Sequence, residues 1–258
     1  MNVRFEIDGH LARVTIDRPD RMNAVDPATE AELDRIWSEI ESRDDIRCIV
    51  LTGAGDRAFS AGADMKAAGG KSGLEYWALN NPNGFGGIAL RDSLTVPVIA
   101  RVNGLALGGG MEMVLGADIV IAADSARFGL PEAKVGRLPL DGGMVALQRL
   151  IPRNIAAGLM LTGRMLTAAE AHRYGLVNAV VPAERLDAEV DAWVADVLSC
   201  APLSVRAIKA TLRQTAHLTM REARAHSHPA LIAALNSEDS AEGVAAFREK
   251  RPPVWRGK

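Results

Sequence analysis

The sequence predicts an α/β fold in which strand, tight turn and helix recur as a coil, followed by a helical tail. Three observations carry this. Apolar, β-branched runs at 46–52, 97–102 and 118–122 each end in small or Gly-rich residues, at intervals of a few tens of residues. Stretches of helical period lie between them. Beyond residue 182 the strand pattern stops, so the expected division is a core of residues 1–182 and a helical region of residues 183–258.

Residues 3 to 16 alternate as two strands about Asp8-Gly9 and read as a hairpin. A helix is expected from Pro27 to Arg43, with Asp26 as N-cap, Pro27 in the first turn, and Leu33, Trp37 and Ile40 on its core face. After the strand at 46–52, Gly53, Gly55 and Ala58 match a dinucleotide-binding spacing. That fingerprint needs a helix directly after the glycines and an acid after the next strand. Ala58-Phe59-Ser60-Ala61 is a poor helix and Glu75 follows no strand, so the match is rejected. Residues 65 to 92 shift to Gly, Asn and Lys around Tyr76-Trp77, which fits either a segment over a pocket that sets substrate choice or a plain surface insertion. Helices are expected near 143–150 and 153–161, Thr167 to Glu170 form a capping box, and a last short strand covers 177–180 before Pro182. The tail holds four stretches of helical pattern. Their apolar surface needs a partner, on the core or on another subunit, so an oligomer is expected.

Composition narrows the function. The 258 residues are 48% hydrophobic with formal charge −2, enough for a sizeable core and without a basic stripe for nucleic acid. The N-terminal stretch lacks a secretory pattern, and no apolar run reaches the ~18 residues of a membrane span. With Cys48 in a buried-looking strand and Cys200 near a helix end, this fits a cytoplasmic protein with two reduced thiols. His226 and His228, two apart and followed by Pro229, fall on different helix faces, and no metal site is assigned to them.

The chemistry concentrates between Asn103 and Glu132. A strand runs into Gly104 to Gly110, and a helix is expected to start near Gly109. Three successive glycines are costly for a helix. They make sense if a ligand lies against bare backbone, with first-turn N–H groups aimed at developing negative charge. Glu112 falls in that first turn, where an acid also stabilises the helix without any further role.

These residues resemble the enoyl-CoA hydratase/isomerase family, the crotonase superfamily, over essentially the whole chain. The resemblance rests on AFSAGADMK, PVIARVNGLALGGGMEM, ADIVIAADSARFGLPEAKVG, LTGRMLTAAEAHRYGLVNAVVP and SEDSAEGVAAFREKRPPVW. Within the family, LPEAK and the C-terminal ending look particularly like carnitinyl-CoA dehydratases. The resemblance implies a crotonase-like spiral of ββα repeats with a C-terminal α-helical trimerisation region, assembled as a homotrimer or hexamer. It implies an acyl-CoA substrate, with coenzyme A as thioester carrier and no metal or redox cofactor.

By residue, the resemblance implies an oxyanion hole from the backbone N–H groups of Ala63 and Gly109, and catalytic carboxyls at Glu112 and Glu132. Glu112 would orient and deprotonate water, and Glu132 would exchange the proton at the α-carbon of a 2-enoyl thioester. For coenzyme A it implies Arg21, Met22, Ala24, Ala61, Ala63, Asp64, Met65, Leu107 and Gly109, with Phe247 and Lys250 reaching a neighbouring subunit's site. On the residues alone, Phe247 reads as core and Lys250 as a solvated surface residue. The acyl pocket is expected around Trp77, Pro131, Pro139, Asp141 and Gly142. Pro139-Leu140-Asp141-Gly142-Gly143 departs from the usual Pro-Gly-Ala-Gly-Gly. Asp141 there is either a third carboxylate beside Glu132 or an N-cap for the following helix. The expected reaction is hydration of a 2-enoyl-CoA. Carnitinyl-CoA dehydration and double-bond isomerisation are the alternatives within the family, and a non-catalytic acyl-CoA-binding module is the alternative outside it.

Overall fold

The structure, a computed structural model, describes residues 2–67, 72–79 and 81–258. Its strands are β1 (Val3–Asp8), β2 (Leu11–Ile16), β3 (Cys48–Gly53), β4 (Ala58–Ser60), β5 (Val98–Val102), β6 (Leu105–Leu107), β7 (Ile119–Ala123), β8 (Arg127–Gly129), β9 (Met165–Thr167) and β10 (Ala179–Val181). Its helices are α1 (Pro27–Glu41), α2 (Gly73–Ala78), α3 (Gly109–Gly116), α4 (Gly143–Leu150), α5 (Arg153–Thr162), α6 (Ala168–Arg173), α7 (Leu186–Leu198), α8 (Pro202–Gln214), α9 (Met220–Ala225), α10 (Pro229–Leu235) and α11 (Glu238–Glu249).

The strands form two sheets, ordered β1-β2-β3-β5-β7-β10 and β4-β6-β8-β9. From β3 to β8 the chain visits the sheets alternately, so each strand of the larger one is followed a few residues later by one of the smaller. Within each sheet these strands pair in parallel. This alternation is the coil expected from the recurring strand–turn pattern. The smaller sheet is the part the sequence did not announce: its strands are three residues long, too short to display an alternation, and Leu105–Leu107 lies inside what reads as one Gly-rich turn.

The hairpin forms as expected, and Asp26 caps α1 by accepting from the Thr29 amide at 2.8 Å. Trp37, Leu33 and Ile40 of α1 are fully buried with Phe59, Phe128 and Val102 in the main core between the sheets. On the other face of the larger sheet, Leu186, Val190 and Val194 of α7 cover Cys48, Val50, Ile99 and Ile121. Thr167 and Glu170 complete both arms of the capping box that opens α6. The last strand sits at Ala179–Val181, slightly later than expected.

The tail docks first on its own chain. Lys209 of α8 is buried, bonded to the Val96 carbonyl and to Asp118, each at 2.7 Å. The third tail stretch breaks into α9 and α10, because Pro229 cannot continue a helix and is seated in the first turn of α10 instead. His228 caps that turn through Nδ1 and meets Thr211 through Nε2, which gives it a structural task. Cys48 and Cys200 are free, the first buried and the second exposed. Among the described residues no helix is long and apolar enough to cross a membrane, and no group of three His, Cys, Asp or Glu side chains is placed to hold a metal.

Candidate active site

Two Gly-bearing turns meet at the edge of the smaller sheet. The first follows β4. Val25 donates to the Gly62 carbonyl at 2.8 Å and accepts from the Asp64 amide at 2.9 Å. Amides alternate in direction along extended backbone, so the Ala63 N–H between them faces away from Val25. The second turn follows β6, where Gly108 and Gly109 open α3 and the Gly109 N–H belongs to the unpaired first helical turn. Gly62 has φ +84, and a Cβ there would lie 2.9 Å from the Gly109 nitrogen and 2.8 Å from the Leu107 carbonyl oxygen. Only glycine allows both the conformation and the approach. The amides of Ala63 and Gly109, distant in sequence, are thereby neighbours.

Register places the carboxylates. Because Leu107 pairs with Gly129 and Gly108 donates to the Gly129 carbonyl at 3.0 Å, the turn after β8 runs beside the glycines. Glu132 begins the helical turn Glu132–Val135, and its Oε1 would lie 3.1 Å from a Cβ on Gly108. Its Oε2 is buried and, among the described residues, has no hydrogen-bond partner. Glu112, in the first turn of α3, is 3% exposed and accepts from the Gly143 N–H at 2.9 Å through Oε1.

The third carboxyl is Asp141, 7% exposed, whose Oδ2 accepts from the Tyr76 hydroxyl at 2.5 Å. It is not the N-cap that its position before α4 allows: Gly142 caps that helix without a side-chain bond, and Glu112 meets the free amide at Gly143 instead. Among the described residues no cation forms an ion pair with any of these three acids. Burial pushes Glu112 up to about 8, opposed by the Gly143 amide and reinforced by the charges of Asp141 and Glu132. Burial also raises Glu132, and raises Asp141 against the Tyr76 hydrogen bond. The two glycine turns and the carboxyls of Glu112 and Glu132 thus lie together, and burial favours the protonated form of Glu112.

The segments expected at coenzyme A are largely brought together. Ala61 donates to the Met22 carbonyl at 3.0 Å, joining the turn that carries Arg21, Met22 and Ala24 to the one that carries Ala63. Met22 and Asn23 both have φ +54, held there by the buried Asn23 side chain, which donates to the Ala54 and Ala58 carbonyls. Asp64 is engaged by Arg18, which also grips Asp26, while Met65 is exposed. Pro139 is buried, Pro131 is half-buried, and Gly142 stands at the start of α4. Phe247 and Lys250 lie at the end of α11, where Phe247 is 86% exposed rather than in the core, and no hydrogen bond or ion pair among the described residues ties them to these turns.

Sequence reasoning missed Tyr76, Gly143 and Arg18. Trp77 is the exposed member of the aromatic pair, and Tyr76 is the one that reaches inward. The available signal was the phenol, since a buried carboxylate needs a donor and tryptophan's ring N–H reaches less far. Residues 68–71 and 80 of the stretch that carries them lie outside the described residues.

Comparison with known proteins places this arrangement. Residues 6–258 match the enoyl-CoA hydratase/isomerase family. Over 255 residues the chain is 38% identical to a carnitinyl-CoA dehydratase of Shigella flexneri, covering 97% of each. Its structure is similar to a crystal structure of an enoyl-CoA hydratase from Bacillus anthracis, with TM-score 0.92, 32% identity and 100% of both chains covered. It is also similar to one from Mycobacterium tuberculosis H37Rv, with TM-score 0.90 and 33% identity over 100% of this chain and 99% of the other. The two-sheet spiral is thus the crotonase fold, its ligand class is the coenzyme A thioester, and the chain belongs to the enoyl-CoA hydratase/isomerase family as a hydro-lyase.

Proposed function

We propose that the enzyme interconverts a 2-enoyl-CoA and a 3-hydroxyacyl-CoA, with Glu112 and Glu132 as the acid–base pair and the amides of Ala63 and Gly109 holding the thioester oxygen. The observation that carries this reading is the convergence of buried Glu112 and half-buried Glu132, whose buried Oε2 has no hydrogen bond among the described residues, on the glycine turn that carries Gly109. In dehydration, ionised Glu132 takes the α-proton. The released electron pair passes through an enolate whose oxygen the two amides stabilise, and the C–O bond at the β-carbon breaks as Glu112 gives its proton to the departing hydroxyl. Hydration is the reverse, with Glu112 deprotonating water. No electron is gained or lost overall, so the reaction calls for no redox cofactor.

The more buried Glu112, flanked by two other carboxylates, takes the shared proton first. That resting state suits the dehydration direction, and the carnitinyl-CoA dehydratases at 38% identity support a polar hydroxyacyl substrate as the second reading. An oligomer, trimer or hexamer, built on residues 183–258 is part of the proposal. Exposed apolar side chains on α8, α10 and α11, among them Leu212, Leu235 and Phe247, support it.

The test is loss of the conjugated enoyl-thioester absorbance with crotonyl-CoA and, in parallel, with crotonobetainyl-CoA, using Glu132→Gln as control. Loss on crotonyl-CoA that the substitution abolishes supports general hydration, and loss on the betaine thioester alone moves the substrate to carnitinyl-CoA. Tight thioester binding without turnover of any acyl group would sink the catalytic reading.

A further inference from the structure

Outside the two glutamates, the most unusual chemical feature of the site is the third acid. Asp141 is buried, has no cation paired with it among the described residues, and caps no helix. A buried carboxylate in that position is costly unless something holds its charge. Among the described residues the side chain that does so comes from α2. All of residues 72–79 are exposed except Tyr76, whose hydroxyl lies 2.5 Å from Asp141 Oδ2. Asp141 in turn stands two residues before Gly143, whose amide binds Glu112.

We propose that Asp141, clamped by Tyr76, is a positioning residue for the proton of the site: it presents a fixed negative charge beside Glu112 and makes Glu112, rather than Glu132, the carboxyl that holds the shared proton. This rests on the acid–base pair proposed above and deepens it, because it sets the direction for which the resting enzyme is prepared.

The charged groups around Glu112 agree in sign and favour its neutral form, while the backbone amides of Gly143 and Asp141 oppose them. Glu132 faces it from the turn after β8 and Asp141 from the loop before α4, and Asp141 is the stronger influence of the two. From α2, Tyr76 is pushed up by burial and then by Asp141, with Glu30 of α1 and Glu112 adding to it, so the phenol remains a donor at any working pH. Its hydrogen bond stabilises the ionised form of Asp141 and so works against the burial that raises it. Two like charges near Glu112 then favour its neutral form.

The test reads the proton directly. Infrared titration of the full-length protein follows the carbonyl band of protonated carboxyls, and Glu112→Gln identifies the band belonging to Glu112. In the wild type that band should disappear with a midpoint of about 8. Asp141→Asn keeps an acceptor for Tyr76 and removes only the charge, and the midpoint should fall by about one pH unit. Tyr76→Phe deprives Asp141 of its donor, and a second protonated-carboxyl band should appear at neutral pH. An unchanged midpoint in Asp141→Asn, or no second band in Tyr76→Phe, overturns the proposal. Because the readout is a vibration and not turnover, a protein inactive on every thioester still reports on the pairing. If turnover is found, the alkaline limb of the dehydration profile moves down with the band in Asp141→Asn, which a purely structural Asp141 would not produce.

Discussion

Glu112 of α3 accepts a 2.9 Å hydrogen bond from the backbone N–H of Gly143, so an acid in the first turn of one helix is seated on the N-terminus of another. Gly142, the N-cap of α4, has no side chain to offer that turn, and Glu112 serves in its place. A Cβ at Gly143 would lie 3.0 Å from Glu112 Oε1 and 2.7 Å from the Pro139 Cβ. Gly143→Ala is therefore expected to displace the carboxyl and lower kcat by ~10-fold or more, as misplacement of a reacting group does. Steady-state kinetics beside a circular dichroism spectrum check it, and an unchanged kcat would show that the hydrogen bond does not position Glu112.

The raised proton affinity of Glu112 has a consequence for stability. Its folded value of about 8 lies above its ordinary 4.5. The proton is therefore bound more tightly in the folded chain, so this contribution is full below about 4.5 and is lost as pH rises through about 8. Glu112→Gln cannot titrate, and between pH 5 and pH 8 it should gain on the wild type by a few kcal/mol. Urea denaturation of both proteins at the two pH values measures the difference. A gap that does not change with pH would place Glu112 in an ordinary environment.

The long elements were legible because their patterns are local. The hairpin, α1 with its Asp26 cap, the β-branched strands and the start of α3 at Gly109 follow from spacing and capping chemistry. What did not follow was anything settled by approach in space. The three-residue strands of the smaller sheet take their identity from their partners, and Gly62 shows its purpose only when Gly109 is beside it. Asp141 had two readings in sequence, and the choice fell to a tyrosine 65 positions away. Glu132 was singled out by family resemblance alone, since nothing local distinguishes it from a surface acid after a proline.

Gly62 gives the third prediction. With φ +84 and room for no Cβ against the Leu107 carbonyl and the Gly109 nitrogen, Gly62→Ala must part the two turns. The cost falls on the paired amides. Loss of one such donor lowers kcat by roughly 10²–10³-fold. A fall in kcat/KM carried mainly by kcat is expected, and a loss confined to KM would argue against an oxyanion-binding role.

The helical tail carries a prediction about assembly. Ile208 and Leu212 lie one turn apart on α8, 61% and 70% exposed, while Lys209 between them is buried against the core. One face of α8 is thus committed to its own chain and the other is left apolar. Leu212→Asp is expected to reduce the particle mass measured by light scattering while leaving the circular dichroism spectrum unchanged. An unaltered mass would place the subunit interface elsewhere.

Separating the two glutamates requires a reaction that uses only one of them. A saturated acyl-CoA has no hydroxyl to lose, yet its α-proton can exchange with solvent if a base and an oxyanion site are present. Glu132 is the carboxyl set against Gly108, with an oxygen that has no hydrogen bond among the described residues, whereas Glu112 is fixed on Gly143. In deuterated water Glu132→Gln should therefore lose α-exchange on butyryl-CoA by ~10²–10⁴-fold, the usual range for a positioned base. Glu112→Gln should retain most of it while losing hydration of crotonyl-CoA, because water activation needs the group that the α-carbon does not. Mass spectrometry of the recovered thioester counts the deuterium. Equal loss in both variants would mean that the pair acts as one unit and that the division of roles between them is wrong.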